Sequence, residues 1–146
     1  MKISEHLSIH EVECVCGCKA VASNPGIMSE TLIYKFEQLR AQVGVPIIIN
    51  SGFRCSWYQA QQREREIEHK KELYKMTVDE LYENRMIWHS LDSLHCKGMA
   101  LDMKVRGLDM FRFYSLAVSV GFTGVGLYPT FIHGDVRRDL TFWRKR

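Results

Sequence analysis

Residues 93–105 read "SLHCKGMALDMKV", and this stretch organises the reading of the whole chain. From Met99 the pattern alternates, so Met99, Leu101, Met103 and Val105 face one side of a strand and Ala100, Asp102 and Lys104 the other. With the first set filling a core, the Asp102 carboxylate opens onto a cleft. His95 stands just before the strand, and Gly98 lets the backbone turn into it. An echo follows in "FIHGDVR", residues 131–137, where the same alternation groups Phe131, His133 and Asp135 opposite Ile132 and Val136. Strands hold side-chain directions firmly, which suits a site that must keep ligands within a few tenths of an ångström. Two imidazoles and one carboxylate form a ligand set of catalytic zinc, with a fourth position left for water. The competing reading is three unrelated, hydrogen-bonded structural residues.

Outward from this stretch, Ser29 caps a helix through about Val43, with Leu32, Phe36, Leu39 and Val43 on one stripe and Gly44 as its stop. "VPIIIN", residues 45–50, is short and β-branched and reads as a buried strand. A second helix spans about 108–120 and is stopped by Gly121. "GVGLY" and "FIHGDV" are two more short strands, separated by a turn at Pro129. The order helix, strand, insertion, strand, helix, strand, strand predicts one α+β domain over residues 1–146, with a small, mainly antiparallel sheet and packed helices.

The insertion covers about residues 59–90 and carries 13 Asp, Glu, Lys or Arg residues among 32, a far denser charge than the 25% of the whole chain. Pairs such as Glu66 with Lys70 support a helix. "TVDE", residues 77–80, is a capping box that opens a second helix, with Leu81, Tyr82 and Trp88 available for packing. A helical hairpin standing on the sheet is expected. It would serve as a lid, a docking surface or, by default, a tolerated spacer.

A chain of 146 residues with 46% apolar composition is long enough to bury a real core. No apolar run approaches the roughly 20 residues that span a bilayer, so no transmembrane segment is expected. The N-terminal "MKISEHLSIHEVE" lacks the apolar segment of a signal peptide, which predicts a cytoplasmic protein as synthesised. Five cysteines, an odd number, make a poor disulfide framework. Cys14, Cys16 and Cys18 alternate in "ECVCGC". A second, structural zinc there would need a fourth ligand such as His10 or Cys55, and the usual C-x-x-C spacing is absent. Buried free thiols are the expectation, with Cys96 also packing inward. The net charge is +3, of which the last ten residues contribute +4 and residues 1–136 contribute −1. Such a tail suits an anionic partner or simply a solvated end. No recognition helix or stacking motif accompanies it, so nucleic acid is not an expected partner.

"SLHCKGMALD" resembles S-x-H-x-x-G-x-A-x-D, the signature of the zinc D-Ala-D-Ala carboxypeptidases and the related phage L-alanyl-D-glutamate endopeptidases, which share the hedgehog/DD-peptidase fold. "SGFRC" (residues 51–55) is similar to the family's S-G-[FY]-R element. "GVGLYPTFIHGDVR" (residues 124–137) resembles the closing strand pair of one branch, and "ECVCGC" its cysteine-bearing N-terminal segment. These four elements, in order, cover most of the chain outside the insertion.

The resemblance implies one catalytic Zn2+ held by His95, Asp102 and His133, in a monomer that hydrolyses peptide bonds of bacterial peptidoglycan. It also implies a phage or prophage protein that reaches the wall through another export or lysis system. Many relatives carry an acidic base three residues before the last histidine ligand; here that position is Thr130. Asp135 is the nearest substitute, unless it orients a ligand or pairs with Arg137. Were Asp135 unable to serve, the insertion would have to supply the base or the domain would lack turnover. Arg54 is expected to grip a substrate carboxylate or the reacting oxygen, with a surface ion pair as its alternative. Ser93 is expected to bind substrate or a ligand unless it is a plain turn residue, and Tyr128 to line the cleft or pack in the core. The family's Asn and Gly-Gly after "RC" are replaced by "SWYQAQQ" and the hairpin, with Gln59 near the Asn position. The alternative function is a non-catalytic, metal-bearing wall-binding or virion structural domain.

Overall fold

The computed structural model describes residues 1–146. Two short helices open the chain, α1 (Ile9–Val12) and α2 (Ala20–Ser23), followed by the long α3 (Glu30–Val43). Ser29 Oγ accepts from the Leu32 amide at 3.3 Å, and Gly44 leaves α3 in the left-handed conformation, so both ends fall where the capping residues set them. Its buried stripe is Leu32, Phe36 and Leu39, with Val43 packed at the edge of the core.

Strand β1 (Ile47–Ser51) leads into α4 (Ser56–Tyr74) and α5 (Val78–Glu83), the two helices of the insertion. Then come β2 (Ala100–Val105), α6 (Met110–Ser119), β3 (Gly124–Leu127), β4 (Ile132–Asp135) and β5 (Thr141–Arg144). The sheet order is β1-β2-β4-β3-β5. Three of its pairings are antiparallel, and β3 with β5 is parallel. The fold is therefore α+β with a five-stranded mixed sheet.

Alternation in β2 works as its composition requires: Leu101, Met103 and Val105 join the core beneath the sheet with Phe36, Phe113 and Phe122. Asp102 projects to the other side. Register then places the polar face. Asp102 sits opposite His133 across β2 and β4, and Ser51 sits opposite Asp102 past an irregularity in β1. Gly126 lies between His133 and Trp143 in the next two strands. A Cβ at Gly126 would run into the Trp143 indole, so the missing side chain there lets that ring lie across the sheet.

The C-terminal basic tail stays largely exposed, but it also contributes a strand. Residues 141–144 form β5, and the Thr141 and Lys145 amides extend the pairing to the Thr123 and Leu127 carbonyls at 2.8 Å each. Its partner β3 lies more than ten residues away, so no local hairpin signal announces it.

The insertion forms the expected hairpin, but a polar network holds it. The buried residues of α4 are Gln59, Glu66 and Lys70. Glu66 accepts from Lys70 Nζ at 2.5 Å and from the backbone amides of Trp88 and His89 at 2.9 and 2.8 Å. Lys70 also donates to the Met86 carbonyl. Leu81 of α5 is fully buried, whereas Trp88 is largely exposed on the return segment. Burial alone would raise the Glu66 pKa, but Lys70 and the two amides outweigh it and hold the carboxyl at about 2. Because the folded value lies below the unfolded one, this anchor is complete above about pH 4.5 and is lost as pH falls through about 2. The protection factors of the Trp88 and His89 amides are expected to fall across that window in the native chain. In Glu66→Gln they should be low already at neutral pH, with little further change on acidification.

Candidate metal centre and cleft

Three elements bring the site together. His95 lies on a 3-10 turn (Leu94–Lys97) that Ser93 caps by accepting from the His95 amide at 3.3 Å. Gly98 ends the turn at φ +64°, a conformation that glycine adopts without strain. His95 is buried, and its Nδ1 lies 2.7 Å from the Gly52 carbonyl. A carbonyl only accepts, so Nδ1 carries the hydrogen and Nε2 offers its lone pair to the site. That Nε2 is 3.3 Å from Asp102 Oδ1. His133 Nδ1 approaches the same oxygen at 2.9 Å.

One donor atom from each of His95, Asp102 and His133 lies within 4.8 Å of the others. A tetrahedral zinc with ligand bonds of about 2.0–2.2 Å needs donor-to-donor edges of about 3.3–3.6 Å. The donor types and spacings fit such an ion. Burial pushes the His133 pKa down, but hydrogen bonds to Asp102 and Asp135 outweigh it and leave the imidazole raised. Burial likewise opposes ionisation of Asp102, and His133 and His95 overcome it, holding the carboxyl far below the usual range. Negative charge thus faces two imidazoles, a balance that a bound cation would take over from the proton.

Asp135 does not occupy the position expected of a general base. It is fully buried and takes three hydrogen bonds from Arg137, from the backbone N at 3.1 Å, Nε at 2.9 Å and Nη2 at 2.6 Å. Its Oδ2 is 2.8 Å from His133 Nε2, the edge of the ring remote from Asp102. The shared strand face was read correctly. Along that face, however, the carboxylate lies behind the imidazole, as an orienting group does, and it does not line the cleft. Thr130 is exposed in the β3–β4 turn.

Arg54 is held in three ways: Nε donates to Ser51 Oγ at 2.9 Å, Nη1 to Gln59 Oε1 at 3.3 Å and Nη2 to Asp102 Oδ2 at 3.0 Å. Asp102 therefore turns one oxygen to the histidines and the other to a guanidinium. Two of the five Arg54 N–H groups remain for other partners. Tyr128 stacks on Phe131 with centroids 4.5 Å apart, and its hydroxyl accepts from Trp143 Nε1 at 3.2 Å.

Arg54, Ser93, His95, Asp102, Tyr128 and His133 all line one cleft of about 570 Å³. So do three groups that the sequence reading did not assign to it: Trp143 from the tail and Trp88 and His89 from the end of the insertion. The insertion is thus a wall of the cleft and not a distant spacer. His89 Nδ1 is 2.7 Å from Glu66 Oε2. A signal was present in "WHSLDSLH", which puts a second histidine six residues before His95.

Residues 5–63 match the family model described as Peptidase M15. The match supports the M15 family of zinc peptidases. It spans less than half of the chain and ends within α4, so it includes Arg54 but none of His95, Asp102 and His133. The arrangement of His95, Asp102 and His133 therefore rests on the structure and not on this match. No curated protein and no solved structure matches the chain.

The cysteines are distributed differently from the expected buried thiols. Cys14 is buried, Cys16, Cys55 and Cys96 are half-buried, and Cys18 is exposed.

Proposed function

We propose that this domain is a zinc-dependent peptidase that hydrolyses peptide bonds in bacterial peptidoglycan stem peptides or cross-links. The convergence of His95 Nε2, Asp102 Oδ1 and His133 Nδ1 at a cleft beside Arg54 carries this reading. A zinc ion bound there supplies Lewis acidity to the scissile carbonyl and to a water molecule. Arg54 holds Asp102 in place and presents its free N–H groups to a substrate carboxylate or to the reacting carbonyl oxygen. Asp135 accepts the Nε2 hydrogen of His133 and fixes that ring with Nδ1 bare. Tyr128, Phe131 and Trp143 form an apolar wall along the peptide.

We assign the proton transfer to His89. Its Nδ1 hydrogen is fixed on the ionised Glu66, which leaves Nε2 as an acceptor on a residue lining the cleft. A base oriented by a third group is the arrangement that general acid–base catalysis needs. It takes a proton from the attacking water at Nε2 and returns it to the leaving amine. A smaller hollow of about 350 Å³ shares Arg54 and His89 as lining, so an extended peptide can run to either side of them.

The second reading is a metal-bearing wall-binding domain without turnover. The absence of a catalytic carboxylate at Thr130 and the burial of Asp135 favour it. Incubation of the zinc-loaded protein with defined muropeptides, followed by mass spectrometry, separates the two. Fragments that disappear with EDTA and return with zinc are expected. Retention on sacculi with no peptide released would establish the second reading instead, and chelator-insensitive cleavage would defeat the metallopeptidase.

A further inference from the structure

A second cluster of metal-binding side chains lies apart from the cleft triad. Cys14, Cys16 and Cys18 occupy the loop between α1 and α2, and Cys55 is the N-cap residue of α4. Their four sulfurs all lie within 4.8 Å of one another. Cys14 Sγ is 3.3 Å from Cys16 Sγ and 3.8 Å from Cys55 Sγ, and Cys16 Sγ is 3.5 Å from Cys55 Sγ. A disulfide would bring one pair to about 2.05 Å and leave the others apart. Four sulfurs around one zinc, each about 2.3 Å from it, sit about 3.8 Å from one another. The observed spacing is near that of a tetrahedron and far from that of a bond.

We propose that Cys14, Cys16, Cys18 and Cys55 bind a second zinc ion, a structural one with four sulfur ligands and no open position. The surroundings are built for it. The Cys55 amide donates to Cys14 Sγ and the Tyr58 amide to Cys55 Sγ, each at 3.4 Å, as backbone groups do around anionic sulfur. Glu13 fastens the loop by accepting from the amides of Cys14, Val21 and Ala22 at 3.0, 3.1 and 2.7 Å. Four soft thiolates in a tetrahedral arrangement select zinc over magnesium or calcium.

The C-x-C-x-C spacing lacks the usual C-x-x-C pair, and the fourth ligand comes from 37 residues beyond Cys18. Backbone pairing supplies the proximity: the Phe53 amide donates to the Val12 carbonyl at 2.7 Å, drawing the end of β1 against the cysteine loop. The ion would therefore staple the turn that carries Gly52, whose carbonyl orients His95, and Arg54, which holds Asp102. Its position makes it a positioning element for the cleft, and its existence does not depend on the peptidase reading.

Metal analysis and cobalt substitution of the full chain test the proposal. Two zinc ions per chain are expected in the native protein. One is expected in His133→Ala and one in the double variant Cys16→Ser, Cys18→Ser. Cobalt-loaded native protein and His133→Ala should both show thiolate-to-cobalt charge-transfer absorption, and the double variant should lose it. Absence of that absorption from cobalt-loaded native protein would overturn the proposal, whatever the folding of the variants. A disulfide among the four cysteines in the zinc-loaded chain, or thiol-reagent labelling equally fast with and without EDTA, would overturn it as well. Because His133→Ala keeps this ion and loses the other, failure here is distinguishable from failure of the cleft site.

Discussion

Replacing His133 with alanine is expected to remove zinc from the cleft and to reduce peptidoglycan hydrolysis by about 10³-fold or more, since a bound metal contributes several kcal/mol to the transition state and each 1.36 kcal/mol is tenfold. The imidazole stands between two carboxylates, 2.9 Å from Asp102 and 2.8 Å from Asp135. Only two donors remain without it, too few for a stable site. Circular dichroism should show a folded chain, because His133 stands on the cleft face and not among the core side chains of the sheet. Asp135→Asn provides the graded comparison. An orienting carboxylate typically changes metal affinity by about 10–100-fold, so this variant should bind zinc more weakly and recover activity when zinc is added in excess. A proton-transfer role for Asp135 predicts the opposite: unchanged zinc affinity and turnover that excess metal does not restore.

His89→Gln is the second large effect. Loss of a positioned general base typically lowers rate by about 10²–10⁴-fold, and the fall should appear in kcat with zinc content unchanged. The effect is expected to be local, because His89 is on the return segment of the insertion and lies outside both the sheet and its core. Full activity in His89→Gln would remove the residue from the mechanism.

Much of the architecture is carried by short-range pattern. The stripe of α3, its Ser29 and Gly44 ends, the Thr77–Glu80 capping box and the alternation of β2 all depend on neighbours within four or five residues. Those same patterns place Asp102 and His133 on a common face, and strand pairing sets them directly opposite each other. The N-terminal helices α1 and α2 escape such reading because four residues are too few to show a period.

Alternation names the face on which a side chain stands, and for Asp102, His133 and Asp135 the sequence determined that much by itself. Which edge of an imidazole a carboxylate meets depends on the strands alongside, and tertiary structure alone put Asp135 behind His133. The same holds for β5, which brings Trp143 to the cleft by parallel pairing with β3, and for His89, which Glu66 holds across 23 residues of chain. It holds too for Cys55, drawn to a loop about forty residues upstream. Each of these contacts joins distant segments through hydrogen bonds that only the closed fold can form, so no local period in the chain encodes them.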